Sequence, residues 1–326
     1  MPEAVRMWDT VPGYRYLWLT IALTQGEIAM DWTFELLAGP YGGTTEGPAW
    51  DGQALLFTHI PGNRIMRYDP HTGACTEFRT GTHGTNGLMF DAQGRLYGCQ
   101  SGQHCIARFE PDGSMRQLPN RLDGKRHNRP NDLAIDRKGR VWFTDPFGRG
   151  RPAEERELDH ASVLRLDPQP DGNWTLQRAT LDTTSPNGIL FSQDERTLYV
   201  AQSDYAGTRE LRAYPLRDDD TLGSSTVLHT FGEDSRGVQR GVDGMCLDTE
   251  GNIIACAGWR EAGPGPMIYV FAPSGRVLET HPVPVDRPTN CTFGDADLRT
   301  LYVTTGGGHL FRVRNTGRRG WLLYPL

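Results

Sequence analysis

Short apolar runs recur along the chain, and each is followed by a stretch in which apolar and polar residues alternate. Most runs follow a turn sequence rich in Gly, Asn or Asp, as in RKGR at 137–140. The runs are Leu55-Leu56-Phe57, Leu96-Tyr97, Val141-Trp142-Phe143, Leu198-Tyr199-Val200, Ile253-Ile254-Ala255 and Leu301-Tyr302-Val303. Alternation is typical of strands with one buried face, and such turns are typical of hairpins. The pattern therefore predicts a chain built from strands.

The spacing of these runs predicts a six-bladed β-propeller. Six units of about 40 to 56 residues each contain the apolar run and an alternating strand such as IMRYDP at 65–70. Several copies add a further strand, as in CTEFR at 75–79. Four-stranded units repeated around an axis leave few sheet edges. We therefore expect an all-β fold in which residues 32–326 form one propeller domain and residues 1–31 an N-terminal tail.

Closure of such a ring requires a strand from the other end of the chain. Residues 32–37, which read WTFELL, are the expected supplier. Residues 321–324, which read WLLY, are the competing candidate.

Composition supports this fold and excludes several classes of protein. The 326 residues include 39 Gly and 22 Pro, which disfavour a helical bundle because both destabilise helix interiors. No apolar run approaches the roughly 20 residues that a membrane-spanning helix needs. The net charge of −6, without a basic block, argues against nucleic acid as a partner. We expect a small-molecule ligand, with no nucleic acid and no membrane.

The six cysteines form no CxxC pair and are expected to be structural thiols, with a disulfide or metal role as the alternative. No basic segment precedes the short apolar stretch at 16–23, so a signal peptide is not predicted. We expect the protein in the cytoplasm, with export as the alternative.

An acid or amide residue precedes each apolar run by nine to eleven residues. These anchor residues are Glu46, Asn86, Asn131, Asn187, Asp243 and Asn290. Equivalent positions of six blades form a ring around one axis, and every side chain in this ring offers an oxygen ligand. Two carboxylates with amide oxygens suit Ca²⁺, Mg²⁺ or Mn²⁺, so the pattern indicates a metal site in the central tunnel.

A simpler interpretation is that these anchors are turn residues, because Asn-Gly and Asp-Gly are common in hairpins. Four anchors are indeed followed by Gly. Asn131-Asp132 and Asn290-Cys291 lack that glycine, and turn chemistry alone does not explain them.

Five motifs in order resemble the regucalcin/gluconolactonase family, and the bacterial gluconolactonases in particular. The segment TEGPAW at 45–50 resembles the EGPxW opening of that family. The others are NRPNDL at 128–133, SPNGI at 185–189, VDGM at 242–245 and PTNCTFG at 288–294. GKR at 124–126 and WFTDP at 142–146 point to the bacterial branch. The resemblance covers roughly residues 35–315.

The resemblance implies a propeller with a divalent metal in its tunnel. Carried over position by position, the metal ligands would be Glu46, Asn131, Asn187 and Asp243. Ca²⁺ is the preferred ion, with Mg²⁺, Mn²⁺, Zn²⁺ and Fe²⁺ as alternatives.

The remaining residues of the ring and its surroundings would then contact the substrate. Arg129 matches a family arginine that contacts substrate oxygens, and Asn86 and Asn290 would line the pocket. Asp132 would orient Asn131 from behind the ligands. His127, near one anchor, is a further candidate for lining the pocket.

The resemblance also implies a reaction, the hydrolysis of a sugar lactone. The metal would act as Lewis acid and Asp243 as general base for the attacking water. The alternatives are an organophosphate or ester hydrolase using the same site, and a propeller that binds a ligand without catalysis. Carboxylates at the axis favour the hydrolase, because a binding propeller has no need for them.

Three features outside the ring remain open from the sequence. The insertions at 147–161 and 232–241 are expected to be surface loops, and 147–161 could instead cover a ligand. Four aromatic residues could form an apolar wall at the tunnel mouth or pack between blades. They are Trp50, Phe143, Phe147 and Trp259.

Overall fold

A computed structural model describes residues 31–148, 150 and 152–324. The predicted N-terminal tail therefore lies outside the described residues except for Asp31. Within these ranges the regular structure consists of 29 strands and one 3₁₀ turn, Ala153–Glu155. None of the described residues belongs to a helix with the length and apolar character needed to cross a bilayer.

Six antiparallel sheets form the blades of a β-propeller, as predicted. The first strand is β1 (Glu35–Ala38). Blade 1 contains β2 (Thr45–Trp50), β3 (Leu55–His59), β4 (Arg64–Tyr68) and β5 (Cys75–Thr80). Blade 2 contains β6 (Thr85–Phe90), β7 (Leu96–Gln100), β8 (Cys105–Phe109) and β9 (Met115–Gln117). A short hairpin of β10 (Arg121–Leu122) and β11 (Lys125–Arg126) follows.

The remaining blades repeat this order. Blade 3 contains β12 (Leu133–Ile135), β13 (Val141–Asp145), β14 (Ser162–Pro168) and β15 (Trp174–Arg178). Blade 4 contains β16 (Pro186–Phe191), β17 (Thr197–Ser203), β18 (Arg209–Pro215) and β19 (Thr226–Thr230), followed by the hairpin of β20 (Glu233–Asp234) and β21 (Gly237–Val238). Blade 5 contains β22 (Val242–Asp248), β23 (Ile253–Ala257), β24 (Met267–Phe271) and β25 (Val277–Pro282). Blade 6 contains β26 (Pro288–Gly294), β27 (Thr300–Thr305) and β28 (Leu310–Val313), and β29 (Gly320–Trp321) ends the series.

The apolar runs of the sequence are the second strands of the blades. These strands are buried on both faces, because each blade packs between two neighbours, and Leu55, Val141 and Ile253 have no exposed surface. The fourth strands β5 and β9 lie at the rim and are mostly exposed. A strand covered on both faces favours consecutive apolar residues, which explains why these runs were the strongest repeat signal.

The N-terminal strand closes the ring, as the sequence predicted. β1 pairs with β28 as the outer strand of blade 6, with Glu35 opposite Arg312. The Arg312 guanidinium donates to both carboxylate oxygens of Glu35 at 2.7 Å and to the Tyr68 hydroxyl of blade 1 at 3.1 Å. The closure therefore joins β1 to blade 6 and contacts blade 1.

The C-terminal segment does not close the ring, which was the alternative considered in the sequence analysis. Trp321 pairs with Leu247 at the far end of the inner strand of blade 5. Tyr324 donates its hydroxyl hydrogen bond to the carbonyl of Asp136 in blade 3. Residues 321–324 therefore cross one end of the tunnel, where they line a cavity together with the inner strands.

The two insertions of the sequence pack on the rest of the fold. Glu157, in 147–161, lies 3.3 Å from both Arg121 and Arg126 of the β10–β11 hairpin. The β20–β21 hairpin forms most of 232–241, and its Val238 carbonyl accepts a 3.0 Å hydrogen bond from the Trp259 indole.

Apolar layers between blades carry the stability of the ring. Leu301 of blade 6 has no exposed surface and belongs to a cluster that includes Ile254 and Val270 of blade 5. We expect Leu301→Ala to lower the free energy of unfolding by about 2–5 kcal/mol, because the deletion leaves a cavity between two blades. Leu181→Ala is the matched control, since Leu181 is 80% exposed, and it should change stability by less than about 0.5 kcal/mol. Equal effects in chemical denaturation would contradict this account.

Candidate functional site

The structure places the predicted ring residues around the propeller axis, one from each blade. Five lie in inner strands, and Asn131 lies two residues before β12. Glu46, Asn86 and Asn290 are buried, whereas Asn131, Asn187 and Asp243 keep part of their surface exposed. Arg129 is also only partly buried. Three of the six ring side chains are therefore accessible to solvent, and the other three are buried.

The pairing of the inner strands is irregular at the ring residues. The pairing register shifts in five of the six inner strands, for example between Glu46 and Ala49 and between Val242 and Met245. Each shift falls at an anchor residue. A β-bulge bends the strand and redirects a side chain, so five of the ring residues depart from the regular alternation of their strands.

The glycine after an anchor permits contact with the next blade. Gly47 has φ +50°, and a Cβ there would lie 2.5 Å from the carbonyl oxygen of Asn86. A Cβ on Gly188 would overlap the carbonyl oxygen of Asp243, and one on Gly244 would overlap the side chain of Asn290. These glycines are thus required for close approach between blades, beyond any need of a turn.

Asp132 stands where four of the other five blades have glycine, and its carboxylate reaches across the axis. One oxygen accepts a 3.0 Å hydrogen bond from the Leu133 amide, and the other lies 3.4 Å from the Asn290 side-chain nitrogen. Blades 3 and 6 face each other across the tunnel, so this contact spans the ring. The sequence analysis expected Asp132 to orient Asn131 instead.

Negative charge is concentrated in this buried space. Burial, followed by the charges of Asp243 and Asp132, raises the pKa of Glu46 well above its ordinary value. Burial also raises the pKa of Asp132 to about 7, against the hydrogen bonds from Leu133 and Asn290 that lower it. These shifts are those expected of carboxylates that share a site without enough positive charge.

One basic side chain pairs with an acid of this group. The Arg240 guanidinium, 6% exposed, bonds to the Asp243 carboxylate and donates to the carbonyl of Pro288 at 2.8 Å. Arg240 therefore fixes the orientation of Asp243 and offsets one carboxylate.

The donor set fits a hard divalent cation. The side-chain oxygen of Asn86 is buried without a hydrogen-bond partner among the described residues. No cluster of three or more His, Cys, Asp or Glu side chains in the described part of the chain could hold a metal ion. The predicted ligand set contains only two acids, Glu46 and Asp243, and depends on amide oxygens for the rest. Carboxylate and amide oxygens together are typical ligands of Ca²⁺.

A buried carboxylate at the end of β13 holds the segment that carries Arg129. Asp145 accepts a 2.7 Å hydrogen bond from the Asn128 amide and contacts Nδ1 of His127 at 3.0 Å. His127 is 1% exposed. It supports this segment through its contact with Asp145, and it also lines a small cavity together with Arg129. The sequence analysis considered His127 for the pocket wall.

Two of the four aromatic candidates pack within the blades, and the other two contact residues of neighbouring loops and hairpins. Trp50 stacks on Tyr302 and Phe143 is fully buried, so both serve blade packing. Phe147 lies under the Arg156 guanidinium at 4.2 Å and lines a small cavity with Arg129. Trp259 packs against Tyr205 with ring centroids 5.2 Å apart.

Comparison with known proteins decides the family. A family model described as the SMP-30/Gluconolactonase/LRE-like region matches residues 44–307, which include every ring residue. The chain belongs to the SMP-30/gluconolactonase family.

Other members of the SMP-30/gluconolactonase family resemble this chain over most of its length. A gluconolactonase from Zymomonas mobilis is 32% identical over 291 residues, covering 83% of this chain and 78% of the relative. A pentonolactonase from Haloferax volcanii is 30% identical over 271 residues, covering 81% of each. The solved structure of a gluconolactonase from Xanthomonas campestris superposes with a TM-score of 0.72 at 34% identity, covering 89% of this chain and 92% of that one.

Sequence reasoning missed Arg240 in this member of the SMP-30/gluconolactonase family. Its segment was assigned to a surface insertion, but the arginine is buried and pairs with Asp243. A basic residue three positions before a ring acid was the available signal. The contact between Asp145 and His127 left no such signal, because it joins residues that are 18 positions apart in the sequence.

The glycine contacts between blades give a test of the ring. In Gly188→Ala the added methyl group would overlap the Asp243 carbonyl and force β16 away from β22. We expect the free energy of unfolding to fall by about 1–3 kcal/mol, as in other overpacked sites. Gly232→Ala is the control, because a Cβ at Gly232 has no neighbour within 4 Å. Indistinguishable urea denaturation curves for the two variants would show that the contact is unimportant.

Proposed function

We propose that this protein hydrolyses sugar lactones, cleaving the internal ester of an aldonolactone to give the open-chain hydroxy acid. The observation that carries this proposal is the group of carboxylates and amides at the axis, in which Glu46 is buried and Asp243 is partly exposed, both in the positions that the family motifs mark. The similarity to lactonases acting on six- and five-carbon sugars supports the same class of substrate.

Four ring residues would hold the divalent cation, namely Glu46, Asn131, Asn187 and Asp243. The unpaired Asn86 oxygen and the raised pKa of Glu46 support a cation at this place, because both are relieved by positive charge. Ca²⁺ suits the all-oxygen donor set best, with Mg²⁺, Mn²⁺, Zn²⁺ or Fe²⁺ as alternatives. When bound, such a cation supplies Lewis-acid polarisation of the lactone carbonyl.

Asp243 is the proposed general base. Its carboxylate takes a proton from the water that attacks the carbonyl carbon, and it returns the proton to the ring oxygen as the C–O bond breaks. Arg240 keeps this carboxylate oriented through its own bond to the Pro288 carbonyl. The Asp243 side chain, which accepts and then releases the proton, is therefore held in a fixed orientation by Arg240.

Polar side chains around the cation would bind the sugar. Arg129 has five N–H donors, which suit lactone hydroxyls and the developing carboxylate. Asn86 and Asn290 can accept from and donate to further hydroxyls at the buried side of the ring. Asp145 holds the backbone next to Arg129 at Asn128, so the arginine is presented from a supported segment.

The thiols bear on the proposed location. All six cysteines are described, and all are free. Free thiols fit a reducing compartment, which supports the cytoplasm.

Substitution of the two ring acids tests the catalytic assignment. We expect Asp243→Asn to lower kcat/KM on δ-gluconolactone by about 10²–10⁴, because the base is lost, and Glu46→Gln to lower it through the cation site. Glu210→Gln is the control, because Glu210 pairs with Arg212 in β18, away from the ring. A pH-indicator assay on a panel of aldonolactones and aryl esters gives the rates. Wild-type rates in both ring variants would refute the assignment, and preference for aryl esters would favour the esterase alternative.

Cation binding can be measured without turnover. We expect Ca²⁺ added to chelator-treated protein to raise the Tm by a few degrees, since a ligand at 100 times its Kd stabilises by about 2.7 kcal/mol. In Glu46→Gln this shift should largely disappear, while the metal-free variant should be at least as stable as the wild type. The reason is that burial and the charges of Asp243 and Asp132 disfavour an ionised carboxylate at position 46, and glutamine carries no charge there. An unchanged Ca²⁺ shift would place the cation elsewhere.

A further inference from the structure

Two thiols from neighbouring blades meet beside the tunnel. Cys246 lies in β22 of blade 5 and Cys291 in β26 of blade 6, and their sulfur atoms are 3.6 Å apart. The two residues are 45 positions apart in sequence. The inner strands of these blades are already in close contact, since a Cβ on Gly244 would overlap the side chain of Asn290.

The distance suits a disulfide after a small movement. An S–S bond is about 2.05 Å long, so the sulfur atoms must approach by roughly 1.5 Å. Each sulfur turns about its own Cα–Cβ bond, so rotation of the two side chains contributes to this approach.

A small oxidant can reach this pair from the tunnel. Both cysteines border the cavity of about 160 Å³ that lies between the ring and the C-terminal segment. Cys246 is partly exposed, whereas Cys291 is 2% exposed. A cavity of this size admits a molecule such as hydrogen peroxide, which is little larger than water.

We propose that Cys246 and Cys291 are a peroxide-sensitive thiol pair that forms a disulfide between blades 5 and 6. One thiol, as its thiolate, attacks a peroxide oxygen and becomes a sulfenic acid, releasing water after protonation. The second thiol attacks that sulfur and displaces a second water molecule. Two thiols are oxidised by two electrons, hydrogen peroxide is reduced to two water molecules, and one S–S bond forms.

The other cysteines are less suited to this reaction. The Cys256 thiol also lies within hydrogen-bonding reach of Cys291, but Cys256 has no exposed surface. Cys105 contacts the side chain of Gln100 at 3.5 Å, and Cys75 accepts a 3.2 Å hydrogen bond from Tyr41. The pair at the blade interface therefore combines a nearby partner with access.

The disulfide would tie together two strands that carry ring residues. Cys246 is three residues beyond Asp243, and Cys291 directly follows Asn290. A covalent link across 45 residues restricts the unfolded chain and resists separation of the two blades. This inference depends on the sulfur geometry and stands independently of the reaction proposed above.

The experiment treats the full-length protein, reduced and then freed of reductant, with a small excess of hydrogen peroxide. We expect the number of free thiols, counted after denaturation, to fall from six to four. Peptide mapping without reduction should yield the Cys246–Cys291 link. The Tm should rise by several degrees and return to its starting value after dithiothreitol.

Variants identify the partners. Cys246→Ser and Cys291→Ser should each keep five thiols after peroxide and show no rise in Tm. Cys256→Ser is the control, and its five thiols should fall to three. A Cys256–Cys291 link, over-oxidation of Cys246 without a link, or six surviving thiols would overturn the proposal. If a serine variant fails to fold, the peptide map of the wild-type protein still decides the outcome.

Discussion

Repulsion among buried carboxylates at the axis is the constraint on which the rest of the site depends. Glu46, Asp132 and Asp243 approach from three blades, and burial with mutual repulsion raises the pKa of the first two. Arg240 offsets the charge of Asp243, but the three acids come from three different blades. They stay close because the blades are held together by packing away from the axis. The function proposed for this space therefore depends on that packing.

That packing comes from apolar layers between blades and from the closure of the ring. Residues such as Leu301 contribute burial, while Arg312 joins the N-terminal strand to blade 6 and touches Tyr68 of blade 1. At the axis the same closeness requires glycine, since a methyl group on Gly188 would overlap the next strand. The free energy gained by burying the apolar layers thus offsets the cost of a polar and charged centre. A rigid frame of this kind suits the proposed reaction, which requires a water, a base and a sugar to be oriented together.

The sequence was sufficient to predict the blades, the closing strand and the positions of the ring, because all three follow from repeats in local pattern. It predicted Asp132 less well, since the contact of that carboxylate with Asn290 joins residues 158 apart. Arg240 was missed because its segment reads as a polar insertion, and its burial depends on the fold of blade 5. Bulges at the anchors leave only a faint trace, namely the glycine that follows most of them. The spacing of residues along the sequence does not predict such contacts across the axis.

The C-terminal segment affects how molecules can reach the tunnel. Residues 321–324 cross the tunnel from blade 5, where Trp321 pairs with Leu247, to blade 3, where Tyr324 bonds to Asp136. The passage through the propeller is therefore narrowed at that end, where the segment lines a cavity of about 160 Å³ together with the inner strands. For the reaction proposed here, a sugar that approached from that end would meet the apolar side chains of Leu322 and Leu323, so the opposite end of the ring is the more favourable approach.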